Sequence, residues 1–323
     1  MRIRPGRSTR PRTRIRPTHD TALDGFVVAV DRGRYTCAIG DRVVTAMRAR
    51  ELGRRGVVVG DRVAVVGDTS GDEGSLARIV RIDDRASILR RSADDDENTV
   101  EGRQERVIVA NAEQLVIVSA LADPPPRTGF IDRCLVAAYD ADIEPLLCLT
   151  KADLAGPEEV LAYYADLDLP YVLCHPDRPL DELIEALRSR LSCLVGHSGV
   201  GKSTLVNRLS PDADRAVGVV SAIGKGRHTS TSAVALPLPG GGWVVDTPGV
   251  RSFGIAHVDP ENVLHGFLDL LPASVNCSPN CDHLTTPGCG LDALVAAGGA
   301  DPRRLTSYRR LLSSRTGDTR PSA

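Results

Sequence analysis

The sequence predicts a multidomain chain: an N-terminal all-β barrel, a central α/β domain on a doubly wound parallel sheet, and a C-terminal helical domain. Three observations predict it. Short β-rich runs with no helical segment between them fill residues 24–90, strands and helices alternate from about residue 104, and Cys277, Cys281, His283 and Cys289 cluster in an otherwise helical C-terminal stretch. Composition places a basic tail at 1–20, the barrel at 21–92, the α/β domain at 93–258, the helical domain at 259–315 and a second tail at 316–323. At 323 residues and 42% hydrophobic, the chain can fill the cores of two or three domains.

Residues 1–18 carry seven arginines and no acid, interleaved with prolines and without apolar periodicity. Such a segment is expected to be disordered when free and to seek polyanions; a solvated tail without a partner is the plainer reading. No apolar run follows the arginines, which argues against a secretory signal. Nothing approaches the roughly 18 consecutive apolar residues of a membrane span. The net charge of −2 supplies no overall field toward nucleic acid. The chain reads as cytoplasmic and without a membrane partner. Cys37, Cys134, Cys148, Cys174 and Cys193 lie mostly inside apolar runs and read as small buried hydrophobes rather than a disulfide framework.

The barrel is read from the runs at 26–30, 35–39, 42–46, 62–66 and 76–82, separated by Gly- and Asp-containing breaks. An oligonucleotide-binding (OB) barrel matches their number and size, and an SH3-like barrel fits the same periodicity. The acidic segment Asp94-Asp95-Asp96-Glu97 reads as a linker or exposed loop. Beyond it, strands are expected at 106–110, 114–118, 145–150, 171–174 and 192–195, and helices at 131–139, 157–165, 180–189 and 202–209.

Four segments carry chemistry. Gly196-His197-Ser198-Gly199-Val200-Gly201-Lys202-Ser203 fits the phosphate-loop pattern, between an apolar strand and the helix 202–209, whose first turn carries Ser203 and Thr204. Its glycines let backbone N–H groups turn inward, Lys202 adds a charge for the outer phosphates, and Ser203 offers a hydroxyl to Mg²⁺. Asp246-Thr247-Pro248-Gly249 follows the next strand, which puts a carboxylate near the metal and the Gly249 N–H near the γ-phosphate. Thr150-Lys151-Ala152-Asp153 ends a buried strand; Asp153 can accept hydrogen bonds from guanine N1–H and the 2-amino group, while Lys151 packs along the base. Cys174-His175 ends the following strand, at the place where such folds contact the base oxygen. Ordinary guanine-nucleotide switches carry the base-reading segment after the phosphate loop. Here it precedes the loop, so the P-loop GTPase fold is circularly permuted.

Between loop and Asp246 lies Gly224-Lys225-Gly226-Arg227-His228-Thr229-Ser230-Thr231, the expected place for a switch that closes on Mg²⁺. Thr229 is the first choice for that ligand, with Ser230 and Thr231 as alternatives. Val250 stands where many GTPases place a water-orienting glutamine. Intrinsic hydrolysis is therefore expected to be slow. The set Cys277-x₃-Cys281-x-His283-x₅-Cys289 offers three thiolates and one imidazole, suited to a closed structural Zn²⁺ site.

In this order the motifs resemble the RsgA family (also called YjeQ or YloQ) of circularly permuted, small-subunit-dependent bacterial GTPases. The likeness covers roughly residues 24–315. It implies an OB barrel, a permuted GTPase domain and a zinc domain, with barrel and zinc domain contacting ribosomal RNA. It implies GTP hydrolysis stimulated by the small ribosomal subunit, a late maturation checkpoint, and a monomer that leaves after hydrolysis to GDP. It suggests His228 as the catalytic substitute for the missing glutamine. The family pattern has four residues between the first two cysteines, and this chain has three. Two other readings stay open: a non-catalytic GTP-gated RNA-binding switch, and a small-molecule kinase on the same phosphate loop.

Overall fold

The computed structural model describes residues 21–53, 56–91, 106–211, 233–247, 255 and 257–315. The two tails and the acidic segment 94–97 lie outside the described residues.

Five strands form the first body: β1 (Leu23–Asp31), β2 (Arg34–Ile39), β3 (Arg42–Arg48), β4 (Arg62–Gly67) and β5 (Ala77–Ile82). Their order is β1-β2-β3-β5-β4, and β4 pairs back onto β1. Only β3 and β5 run parallel. This is a closed, partly parallel five-stranded barrel of the OB kind. Alternating residues fill it, with Val27, Cys37, Val44, Ala46, Val63, Val65 and Ile79 fully buried. Gly60 (φ 91°) lets the barrel meet the next body, since a Cβ there would lie 1.9 Å from the Ala110 carbonyl oxygen.

The run at 106–110 departs from expectation. As β7 (Arg106–Ala110) it pairs antiparallel with β6 (Ile88–Arg91) in a separate two-stranded ribbon, not in the large sheet. The reason is chain length. Only residues 111–113 separate it from the next strand, whereas a parallel crossover takes about a dozen residues or more.

The large sheet contains β8 (Gln114–Ala120), β9 (Glu144–Thr150), β10 (Tyr171–Cys174), β11 (Leu191–Gly196), β12 (Val234–Pro237) and β13 (Trp243–Asp246). Its order is β10-β9-β8-β11-β13-β12, parallel except for β12 against β13. The free edge of β12 pairs with barrel strand β1 at Ala29↔Val234, which makes the two bodies one 11-stranded sheet. Helices α1 (Thr128–Asp140) and α2 (Glu158–Tyr163) cover one face, packing on Leu115, Ile117, Leu147 and Val195. Helices α3 (Asp181–Leu187) and α4 (Lys202–Leu209) cover the other, on Val116, Val118, Cys148 and Leu194. Side chains buried on both faces explain the near-continuous apolar runs.

The C-terminal body holds α5 (Pro260–Val263), α6 (Gly290–Ala296), α7 (Pro302–Arg315) and two short 3₁₀ turns. Its core of Val263, Phe267, Leu270, Leu291, Tyr308 and Leu311 includes Val136 from α1. Gly266 allows that approach, because a Cβ there would sit 2.4 Å from Val136 Cγ2. No helix among the described residues is long and apolar enough to cross a membrane.

Candidate nucleotide site and metal centre

Strands β9, β8, β11 and β13 are neighbours, so the chain segments that leave their carboxyl ends share one sheet edge. Register aligns Thr150 with Ala120, Gly196 with Val118 and Asp246 with Leu194. Crevices outside the carboxyl ends of such strands bind ligands. The phosphate loop leaves β11 at Gly196, where a Cβ would stand 2.7 Å from the Val118 oxygen. Gly199 and Gly201 take φ of 85° and 88°, and Val200 is buried, anchoring the loop from below. His197 lies against Phe130 of α1 with ring centroids 4.0 Å apart. Ser198, Gly199, Ser203 and Thr204 are exposed.

The segment Thr150–Asp153 touches this loop directly. The buried Thr150 hydroxyl donates to the Val200 carbonyl at 2.6 Å. Lys151 adopts φ 55°, and its ammonium donates to the Asp123 carbonyl. Asp153 is exposed in the turn that follows. At the end of β10 the Cys174 sulfur turns into the core, 3.5 Å from the Cys148 sulfur, and the Cys174 carbonyl accepts the Ala152 N–H at 3.5 Å. That leaves the backbone of Cys174 and His175, rather than the thiol, at the sheet edge; the His175 carbonyl takes Arg208 Nη1 at 2.8 Å. On the other flank Lys202 forms an ion pair with Asp246. Beneath them the buried Thr247 hydroxyl donates to the Leu194 carbonyl at 2.7 Å. His228, Thr229, Ser230, Thr231, Gly249 and Val250 lie outside the described residues.

The sequence reading missed the loop after β8. Its Asp123 carbonyl receives Lys151, and Pro124 stands 3.5 Å from where a Cβ on Gly199 would be. The triple proline at 124–126 was the available signal for a stiff segment.

The second site is formed by the loop before α6. The ligand atoms of Cys277, Cys281, His283 and Cys289 all lie within 4.8 Å of one another. His283 Nδ1 stands 3.6 Å from the Cys277 sulfur, 3.6 Å from that of Cys281 and 3.5 Å from that of Cys289, with 3.9 Å between Cys277 and Cys289 sulfurs. A tetrahedron with Zn–S of about 2.3 Å and Zn–N of about 2.05 Å has edges of about 3.8 and 3.5 Å. The four separations above lie within about 0.1 Å of those edges. A backbone amide also faces the sulfurs: the Gly290 N–H donates to Cys277 Sγ at 3.2 Å. Such a donor disperses thiolate charge. Burial, chiefly, holds the His283 imidazole below the ordinary histidine value, which favours the neutral ligating form. Arg309 Nε donates to the His283 carbonyl at 2.7 Å, and its Nη2 meets Asp292 at 2.8 Å. By contrast, Cys37 and Cys193 are pushed up to about 12 by burial and are inert hydrophobes.

A family model described as RsgA GTPase matches residues 82–256. The chain is 37% identical over 305 residues to the small ribosomal subunit biogenesis GTPase RsgA of Chlorobaculum parvum, across 90% of this chain and 98% of that one. It is 42% identical over 217 residues to the protein of the same description from Pseudomonas aeruginosa, across 64% of each. Among solved structures, YjeQ from Thermotoga maritima aligns with a TM-score of 0.70 at 26% identity, covering 92% of this chain and 99% of that one. YloQ, described as a circularly permuted GTPase, aligns with a TM-score of 0.69 at 22% identity, covering 94% and 98%.

Proposed function

This chain belongs to the RsgA GTPase family, and from that premise we propose that it hydrolyses GTP in response to the small ribosomal subunit, as a late checkpoint in that subunit's maturation. The observation that carries the proposal is the convergence of Thr150, the Gly196–Ser203 loop and Asp246 at one sheet edge, with the Thr150 hydroxyl bonded to the loop.

In this reading the amides of Gly196, His197, Ser198, Gly199, Val200 and Gly201 cradle the phosphates, and Lys202 leaves Asp246 for the β- and γ-phosphate oxygens. Ser203 and Thr229 would hold Mg²⁺ directly, with Asp246 acting through water, and Thr204 completes the first helical turn beneath the phosphates. When bound, Mg²⁺ supplies charge stabilisation at those oxygens. Asp153 selects guanine, Lys151 lines the base, and the backbone of Cys174 and His175 faces the base oxygen. Gly249 senses the γ-phosphate. With valine at 250, His228 is the proposed group that orients the attacking water, giving GDP and phosphate. Cys277, Cys281, His283 and Cys289 would hold one structural Zn²⁺, whose four positions are filled by protein and leave none for substrate. The OB barrel, drawn at 21–92, and the zinc-binding helices, drawn at 259–315, are the proposed RNA-contacting parts, with the GTPase domain between them at 93–258. A cytoplasmic monomer suits this role.

Measuring GTP turnover with and without purified small subunits tests the reading. A clear stimulation is expected; turnover that small subunits leave unchanged overturns it in favour of a GTP-gated RNA-binding switch.

A further inference from the structure

We propose that Asp282 is a positioning residue for the metal centre: its carboxylate fixes the turn that brings His283 to the three cysteine sulfurs. The inference rests on the zinc reading above and concerns how a ligand pair only one residue apart is made to converge.

Cys281 and His283 pose a geometric problem. In an extended strand, residues i and i+2 share a face but stand about 6.6 Å apart, and in a helix they point roughly 200° apart. Neither regular geometry is what sets the 3.6 Å found between Cys281 Sγ and His283 Nδ1. The chain solves it with a left-handed residue at His283, φ 56°, preceded by another at Asn280, φ 63°. Histidine takes that conformation only occasionally, so something must hold it there.

Asp282 is placed to do so. Its Oδ1 accepts the backbone N–H groups of Leu284, Thr285 and Thr286, each at 2.9 Å, and the Thr286 hydroxyl at 2.8 Å. Its Oδ2 accepts the Thr285 hydroxyl at 2.7 Å. Its own N–H donates to the Thr286 hydroxyl at 3.2 Å. The hydrogen bonds bracket His283, so the three amides that follow the ligand are tied to the carboxylate of the residue before it. From the opposite side, Arg309 holds the His283 carbonyl. The carboxylate is exposed, so these bonds form where water would otherwise solvate it. A turn organised before metal binding lowers the ordering entropy of gathering four ligands. Groups of this kind beyond the ligands typically change metal affinity about 10–100-fold.

The test uses the full-length protein. Elemental analysis of the wild type comes first: one zinc per chain is expected, and less than about half would overturn the zinc reading itself, independently of Asp282. Given a zinc-loaded wild type, competition with a chromophoric chelator should show Asp282→Ala binding zinc about 10–100-fold more weakly. Asp282→Asn, which keeps an oxygen acceptor for the three amides, should recover most of that loss. Co²⁺-substituted wild type and Asp282→Asn should share a tetrahedral absorption spectrum that Asp282→Ala distorts. GTP affinity, unchanged in all three, reports that the rest of the chain is folded. An alanine variant with wild-type zinc affinity and cobalt spectrum overturns the proposal. So does an asparagine variant as weak as alanine, because charge rather than turn geometry would then be responsible.

Discussion

Thr150 ends β9 under the phosphate loop, and its hydroxyl is the only side-chain group that joins the segment Thr150–Asp153 to that loop among the described hydrogen bonds. Replacing it with valine keeps the volume and leaves the buried Val200 carbonyl without its donor. An unsatisfied buried acceptor costs about 1–3 kcal/mol. Thr150→Val should therefore lose about that much stability in a urea titration and bind GTP and GDP more weakly, while Thr150→Ser should recover both. Asp153 is tested by specificity. Asp153→Asn should weaken guanine nucleotides and favour xanthosine nucleotides, whereas equal GTP affinity in the variant would remove Asp153 from the base site. The residue types were legible because spacing alone announces them. The Thr150–Val200 bond was not, since it spans 50 positions in sequence and depends on β8 lying between its two strands. Asp282 left a faint trace, an aspartate followed by threonines at the third and fourth positions, which is the composition of a side-chain-capped turn.

At the scale of elements, long apolar strands declared themselves, and β12 did not. It is four residues long, ends in Pro237, and owes its place to pairing with β13 on one side and the barrel on the other. Local pattern carries little of that information. Yet β12 and its neighbour form the seam between barrel and nucleotide-binding sheet. Phe26 of β1 packs on Trp243 of β13 with centroids 5.1 Å apart, and Trp243 lies on the strand that ends at Asp246. Trp243 is the only tryptophan in the chain. Its emission is thus a natural reporter of whether β13 and the barrel move together. Adding a non-hydrolysable GTP analogue with Mg²⁺ should shift Trp243 fluorescence, and Phe26→Ala should reduce the shift. Emission indifferent to nucleotide would show that the seam stays fixed while the site fills.

For the whole molecule, the permuted order places two accessory bodies on different sides of one nucleotide-binding sheet. The barrel grips the β12 edge, and the C-terminal body docks on the α1 and α2 face through Arg304. That guanidinium is 1% exposed, paired with Asp132 of α1 at 2.7 Å and with Asp269 at 2.8 Å. It also lies over Phe267, Tyr164 and Tyr163, with distances to the ring centroids of 4.5, 5.4 and 5.6 Å. Tyr163 and Tyr164 close the helix that follows the base-reading turn. Five positions along the same helix, Arg309 holds the metal loop. One helix therefore connects the end of the helix after Thr150–Asp153 to the loop of Cys277, Cys281, His283 and Cys289, a second route beside the chain connection that runs from Asp246 into the C-terminal body. Removing the guanidinium while leaving two buried carboxylates should cost about 3–5 kcal/mol, because breaking a buried pair strands its partners. Arg304→Met should show that loss in denaturant titration, with faster amide exchange in residues 259–300 and in α2. Adding Asp132→Asn and Asp269→Asn should recover part of it by removing the stranded charges. If helix α7 carries the coupling, nucleotide-dependent exchange protection in 259–300 should disappear in Arg304→Met even where the rescued variant is stable. Protection that persists in the rescued variant would return the coupling to the direct chain connection after Asp246.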